Sequence, residues 1–257
     1  MINHTASKSK GLAWVLAAFL FGAFCALGLT PLAHIIPWRW EKKLAAVVDG
    51  GHSQSECRYD PRAQPLLQKI VARLYPIYPD DATFSIDVQI VRDPVVNAFA
   101  GLGGKISINS GLLEQAESAD ELAGILAHEI EHVRRRHIME GALAHLFTAE
   151  GIHIIFGQAS SASEWSAYFL NMDFSRAQET QADEGGLQRL HDAYIDNHGF
   201  RHFFERMEKA QSVPMFISDH PSNHQRFAMA EKFDNRDVRA ILTSEEWFML
   251  KNDCGNK

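Results

Sequence analysis

The sequence predicts an α+β fold, mainly helical, with a small antiparallel sheet and one preceding transmembrane helix. Three observations carry that expectation. Residues 84–91 (FSIDVQIV) alternate apolar and polar side chains with period two, the mark of a half-buried strand, and two short strand-like segments follow. From Ser118 onward the pattern is almost wholly helical. Residues 11–36 form a nearly uninterrupted apolar run, long enough as a helix to cross a bilayer core.

The elements divide the chain into a tail (1–10), an anchor (11–36) and a folded domain (37–257). Trp14, Trp38 and Trp40 flank the run, where amphipathic rings favour the membrane interface. A cleaved signal peptide is the competing reading. The run is long for one, and no small-residue cleavage site closes it. Lys8 and Lys10 precede it while Arg39, Lys42 and Lys43 follow, so basic residues do not set the orientation.

Asp60-Pro61 opens a helical pattern with Leu66, Leu67, Ile70, Val71 and Leu74 on one face. After strand 84–91, residues 95–100 and 105–109 read as two more strands, with Gly101, Gly103 and Gly104 turning the chain between them. Ser118-Ala119-Asp120-Glu121 supplies N-terminal capping chemistry for a helix reaching about His137. Arg134-Arg135-Arg136 reads as its solvated face. Residues 142–156 are apolar but short and carry His145, Glu150 and His153, so a buried or interfacial helix is expected there. Further helices are expected over 163–194 and 201–211, and two near the C-terminus.

The formal net charge is −7, and no basic stripe interrupts it, so nucleic acid is not an expected partner. Cys57 and Cys254 could pair in an oxidising compartment or remain free thiols; both readings stand.

The chemistry lies in His128-Glu129-Ile130-Glu131-His132. Histidines four apart on a helix share one face about a turn apart, so both imidazoles can bind one metal. Glu129, directly after the first histidine, can reach a metal-bound water, take its proton and return it to a leaving group. The pentapeptide alone is short enough to arise by chance on a surface helix. Its apolar neighbours Leu122, Ile125, Leu126, Ile130 and Val133 argue for burial instead. Glu179-Thr180-Gln181-Ala182-Asp183 supplies a second i, i+4 pair. Glu179 could complete a His₂Glu zinc site, and Asp183 could hold the outer nitrogen of a ligating histidine.

Four blocks, in order, give the chain a specific resemblance. They are Asn97-Ala98-Phe99-Ala100 with Gly103-Gly104-Lys105-Ile106 and Ser110-Gly111-Leu112-Leu113; His128 to His132 with Arg136-His137; Glu179 to Asp183; and Asp219-His220-Pro221-Ser222 with Arg226. Together they resemble the membrane-associated gluzincin metallopeptidases of the HtpX and CaaX prenyl endopeptidase type. Within that family the chain is most similar to the single-anchor branch related to the mitochondrial protease with activity overlapping m-AAA. The resemblance implies a zincin-like metallopeptidase domain with one Zn²⁺ on His128, His132 and Glu179 and Glu129 as general base and acid. It implies protein or peptide substrates paired along an edge strand at Asn97, Ala98 and Phe99. His220 is expected either to stabilise the oxyanion or to contact the metal in a resting state, and Arg226 to pair with a buried carboxylate. The implied location is an inner membrane, single-pass, with the domain on the periplasmic side or its organellar equivalent. A zinc-containing, chaperone-like binding module is the alternative function. Two departures stand out: Glu131 where relatives often have Gly, and Leu102 where many have Pro. Both are expected to alter loop shape or access to the groove.

Overall fold

In a computed structural model the described residues are 30–49, 63–76, 85–146, 168, 172–209, 216, 220, 229–233 and 237–252. Most of the predicted anchor, both Cys57 and Cys254, and Arg226 lie outside them. Among the described residues no helix is long and apolar enough to cross a membrane.

The elements in chain order are α1 (Thr30–Ile35), α2 (Trp38–Asp49), α3 (Ala63–Leu74), β1 (Asp87–Val91), β2 (Ala98–Ala100), a 3₁₀ turn (Leu102–Gly104), β3 (Lys105–Asn109), α4 (Ser110–Gln115), α5 (Ala119–Arg134), α6 (His137–Leu146), α7 (Arg176–Asp192), α8 (His198–Glu208) and α9 (Ser244–Lys251). Among the described residues the domain is thus mainly helical with one three-stranded sheet. The face of α3 named from its spacing, Leu66, Leu67, Ile70, Val71 and Leu74, is the buried one.

The sheet is mixed, which corrects the antiparallel expectation. Its order is β1-β3-β2, with β1 parallel to β3 and β2 antiparallel to it. The chain leaves β1, crosses to the far side through residues 92–97, runs back as β2, and returns up the middle as β3. Asp93 shapes that crossing: its Oδ1 accepts from the Val95 amide, and its carbonyl accepts from Gly111 N and Ser110 Oγ. Alternation along a strand reports which side chains face the core, not which way the neighbour runs. Burial of four consecutive residues in β3, Ile106 to Asn109, is the mark of its central place. β2 is consequently an edge strand, and it packs on α5. Gly103 sits at φ 75°, a left-handed turn that glycine enters without steric cost.

α5 is buried on every face from Leu122 to Val133, including the polar His128, Glu129, Glu131 and His132, which goes beyond the burial its apolar flanks called for. Ser118 caps it by accepting from Glu121 N. The helix ends at Arg134 rather than near His137, because Arg136 takes φ 66°. A left-handed non-glycine residue is strained unless its surroundings hold it there. Arg136 is buried, donates to the carbonyls of Ala33 and Ile36, pairs with Glu41 Oε2 at 2.9 Å and lies over the Trp38 ring. Glu41 in turn accepts from Gly103 N, tying α2 to the tip of the β2–β3 hairpin. Of the arginine cluster, Arg134 is exposed and Arg135 partly so, as a solvated face requires, whereas Arg136 is buried. Arg134 and Arg135 engage Glu131, and Arg136 fastens the 30–41 segment to the end of α5. Ala33, placed by the sequence near the end of the apolar run, is fully buried in the core.

Candidate metal centre

α5 and α7 form the most extensive helix contact among the described residues. Gly186 permits it: a Cβ there would stand 3.1 Å from His128 N and 3.3 Å from its Cα. That close crossing brings Glu179 and Asp183 of α7 against the His128–His132 face of α5. A capping box, Ser175 with Gln178, starts α7 one turn before Glu179.

Four buried side chains converge. His132 Nε2 lies 3.0 Å from His128 Nε2, and His128 Nε2 lies 3.2 Å from His220 Nδ1. Glu179 Oε1 is 3.3 Å from His132 Nε2 and 3.0 Å from His220 Nδ1, and Oε2 is 3.6 Å from His128 Nε2. A metal about 2.0–2.1 Å from each of four donors holds those donors about 3.3–3.4 Å apart. The cluster thus has the dimensions of a tetrahedral zinc site, and imidazole and carboxylate are the donor types zinc accepts. The structure brings together the three predicted ligands, and it also sets His220 among them.

His128 Nδ1 is 2.9 Å from Asp183 Oδ1. A carboxylate only accepts, so the proton sits on Nδ1 and the Nε2 lone pair faces the cluster. Burial holds the His132 ring well below its ordinary pKa, leaving it neutral and able to donate a lone pair. Burial raises the Glu179 carboxyl, but the facing His220 and His128 and hydrogen bonds from His132 and His220 bring it net below its ordinary range.

Glu129 is fully buried on the same turn, and neither of its oxygens makes a hydrogen bond of ordinary geometry among the described residues. They face the backbone amide of Ala100 at the edge of β2 and the His220 ring, 3.5 Å from Nε2. Burial raises its carboxyl above the ordinary range, the direction that suits a general base. Of the groove candidates, Asn97 and Ala98 are buried and Phe99 is partly exposed. Their strand lies along the catalytic face of α5. His220 is carried by Phe216, whose amide donates to Val96 O just before that strand.

Three contacts were given no role by sequence reasoning. Phe174 lies against His132, with ring centroids 3.9 Å apart and the planes tilted by 38°. His137 Nδ1 stands 3.1 Å from His132 Nδ1, and His137 Nε2 stands 3.2 Å from Gln181 Oε1. His137 and Gln181 both lie in the quoted blocks, which was the only signal available. The two departures have structural places. Leu102 is buried in the core. Glu131 takes three arginines, Arg134, Arg135 and Arg189, at 2.9, 2.8 and 2.6 Å. It shapes the α5–α7 contact, directly opposite Gly185, where any side chain would collide with its carboxylate.

The chain is similar to known proteins over most of its folded part. The family profile described as "Peptidase family M48" matches residues 61–234. Mitochondrial metalloendopeptidase OMA1 of Schizosaccharomyces pombe is 34% identical over 158 residues, covering 57% of this chain and 46% of that protein. The putative beta-barrel assembly-enhancing protease of Vibrio cholerae is 29% identical over 153 residues, covering 51% and 31%. The beta-barrel assembly-enhancing protease of Escherichia coli K12 is 26% identical over 184 residues, covering 63% and 37%. The matched part is under half the length of each of these relatives.

Proposed function

The chain belongs to peptidase family M48, and from that premise we propose that it is a zinc-dependent endopeptidase anchored to a membrane. The observation that carries the proposal is the buried donor set of His128, His132, Glu179 and His220, with the buried Glu129 carboxylate between it and an edge strand. His128, His132 and Glu179 would hold one Zn²⁺ per chain. The metal, when bound, supplies Lewis acidity toward a peptide carbonyl and toward water. The protein's own groups do the rest. β2, at the edge of the sheet, offers its outer side along Asn97, Ala98 and Phe99 to an extended peptide. Glu129 takes the proton of the attacking water and delivers it to the departing amine. Asp183 fixes the orientation of His128. His220 fills the fourth corner of the donor set, which supports the resting-contact reading over the oxyanion one. A peptide must displace it for a catalytic site to keep an open position.

The apolar run from Gly11 would anchor the domain, with α1 as the point where the run meets it. The relatives' names, a mitochondrial metalloendopeptidase and a beta-barrel assembly-enhancing protease, support proteins as substrates. In this reading those are membrane or envelope proteins, cut in protein quality control on the periplasmic side of an inner membrane or its organellar equivalent. The test is digestion of a peptide library by the full chain in detergent with added zinc. Internal cuts that cease on chelation are expected. Binding of unfolded polypeptide with no cut products would replace the endopeptidase with a chaperone-like zinc module.

A further inference from the structure

We infer that His137 is a positioning residue for the metal site, and that with Gln181 it fixes which nitrogen of His132 faces the metal. The inference rests on the proposed zinc site and adds two residues to it.

Hydrogen-bond direction decides the assignment. His132 Nε2 points into the donor cluster, so binding a cation requires a lone pair there and the ring proton on Nδ1. That proton faces His137 Nδ1 at 3.1 Å, and the Nδ1 must accept it. The His137 proton then has one place left, Nε2, where Gln181 Oε1 accepts it at 3.2 Å. Each proton in the chain from Gln181 through His137 to His132 thus has a single position. On the other ligand, Asp183 does the same for His128 with a carboxylate. The two histidines of one helix are therefore oriented by different means, both anchored on α7 through residues two positions apart.

The break in α5 creates this contact. On an uninterrupted helix a residue five positions on lies about 140° around the axis, so His137 would point away from His132. The left-handed Arg136 restarts the chain as α6 and turns the ring back. Both rings also lie against Phe174, with centroids 3.9 and 6.2 Å from its own. His137 is only 2% exposed, so solvent is a poor substitute for it, whereas Gln181 is exposed.

The test is zinc affinity, measured by competition with a chromogenic chelator on the full chain. His137→Phe keeps a ring in place but offers no acceptor, and a loss of about 10- to 100-fold in affinity is expected. His137→Asn puts an amide oxygen where Nδ1 stands and is expected to recover most of that loss. Unchanged affinity in His137→Phe, or equal loss in the two variants, overturns the inference. Should the variants not fold, ¹H–¹⁵N correlation of labelled histidine in the zinc-loaded wild type decides it: the His137 proton belongs on Nε2, and a proton on Nδ1 overturns the assignment. Failure of the wild type to bind zinc would instead overturn the function proposed above.

Discussion

Replacing Glu129 by Gln is expected to leave zinc bound and to lower peptide cleavage by about 10²- to 10⁴-fold. The substitution preserves shape and burial and removes only the ability to take a proton. Glu129 stands outside the donor cluster, with its oxygens turned to Ala100 and to His220 Nε2, so His128, His132 and Glu179 keep their places. Its carboxyl is raised by burial, and a base with raised pKa binds the water proton more readily and still releases it to an amine. An amide can do neither. Zinc content by elemental analysis and turnover of a quenched peptide, measured on one preparation, check both halves. Full cleavage by Glu129→Gln would remove Glu129 from the mechanism.

The largest effect on stability is expected at Glu131. Burial pushes its carboxyl up, but hydrogen bonds from Arg134 and the charges of Arg189 and Arg134, with Arg135 adding a further bond, bring it down from 4.5 to about 2. The side chain is only 1% exposed, so solvent screens the pairing little. A group whose pKa falls on folding stabilises the protein above its unfolded pKa and loses that contribution as pH falls toward the folded value. The stabilisation is therefore complete above about pH 5, fades on acidification toward pH 2, and amounts to about 3 kcal/mol. Glu131→Gln is expected to lower stability by that order at neutral pH. Urea denaturation of wild type and variant across pH 7 to 3 checks it, with the difference between them shrinking as pH falls. A constant difference, or none at neutral pH, would mean the arginines find equivalent partners without the carboxylate.

Much of the candidate site was legible because it follows from local spacing. Two histidines four apart, and Glu179 and Asp183 four apart, each mark one helix face whatever the rest of the chain does. The apolar surroundings of the first pair called for burial, and the structure buries it completely. The strand segments were legible for the same reason. Their directions were not, since the crossing at 92–97 depends on Asp93 capping a turn and on the 110–111 backbone, contacts with no periodic signature. The end of α5 was misplaced because no glycine or proline announces it. Arg136 is held in a glycine-like conformation by carbonyls and a carboxylate a hundred residues earlier in the chain. The partnership of His137 with His132 depends on that break, so it was invisible as well. Glu131 looked like an irregularity beside the groove, and its meaning required Arg189 and Gly185 from α7.

The central claim is that His128, His132 and Glu179 hold a single zinc ion on which peptide cleavage depends. Elemental analysis of the purified full chain and of His128→Ala, coupled to peptide turnover with and without added zinc, tests it most directly. One zinc per wild-type chain is predicted, with near-complete loss of both metal and cleavage in the variant, and chelator-treated wild type regaining activity when zinc is restored. Equal zinc content in wild type and His128→Ala, or cleavage that persists in metal-free protein, would contradict the account.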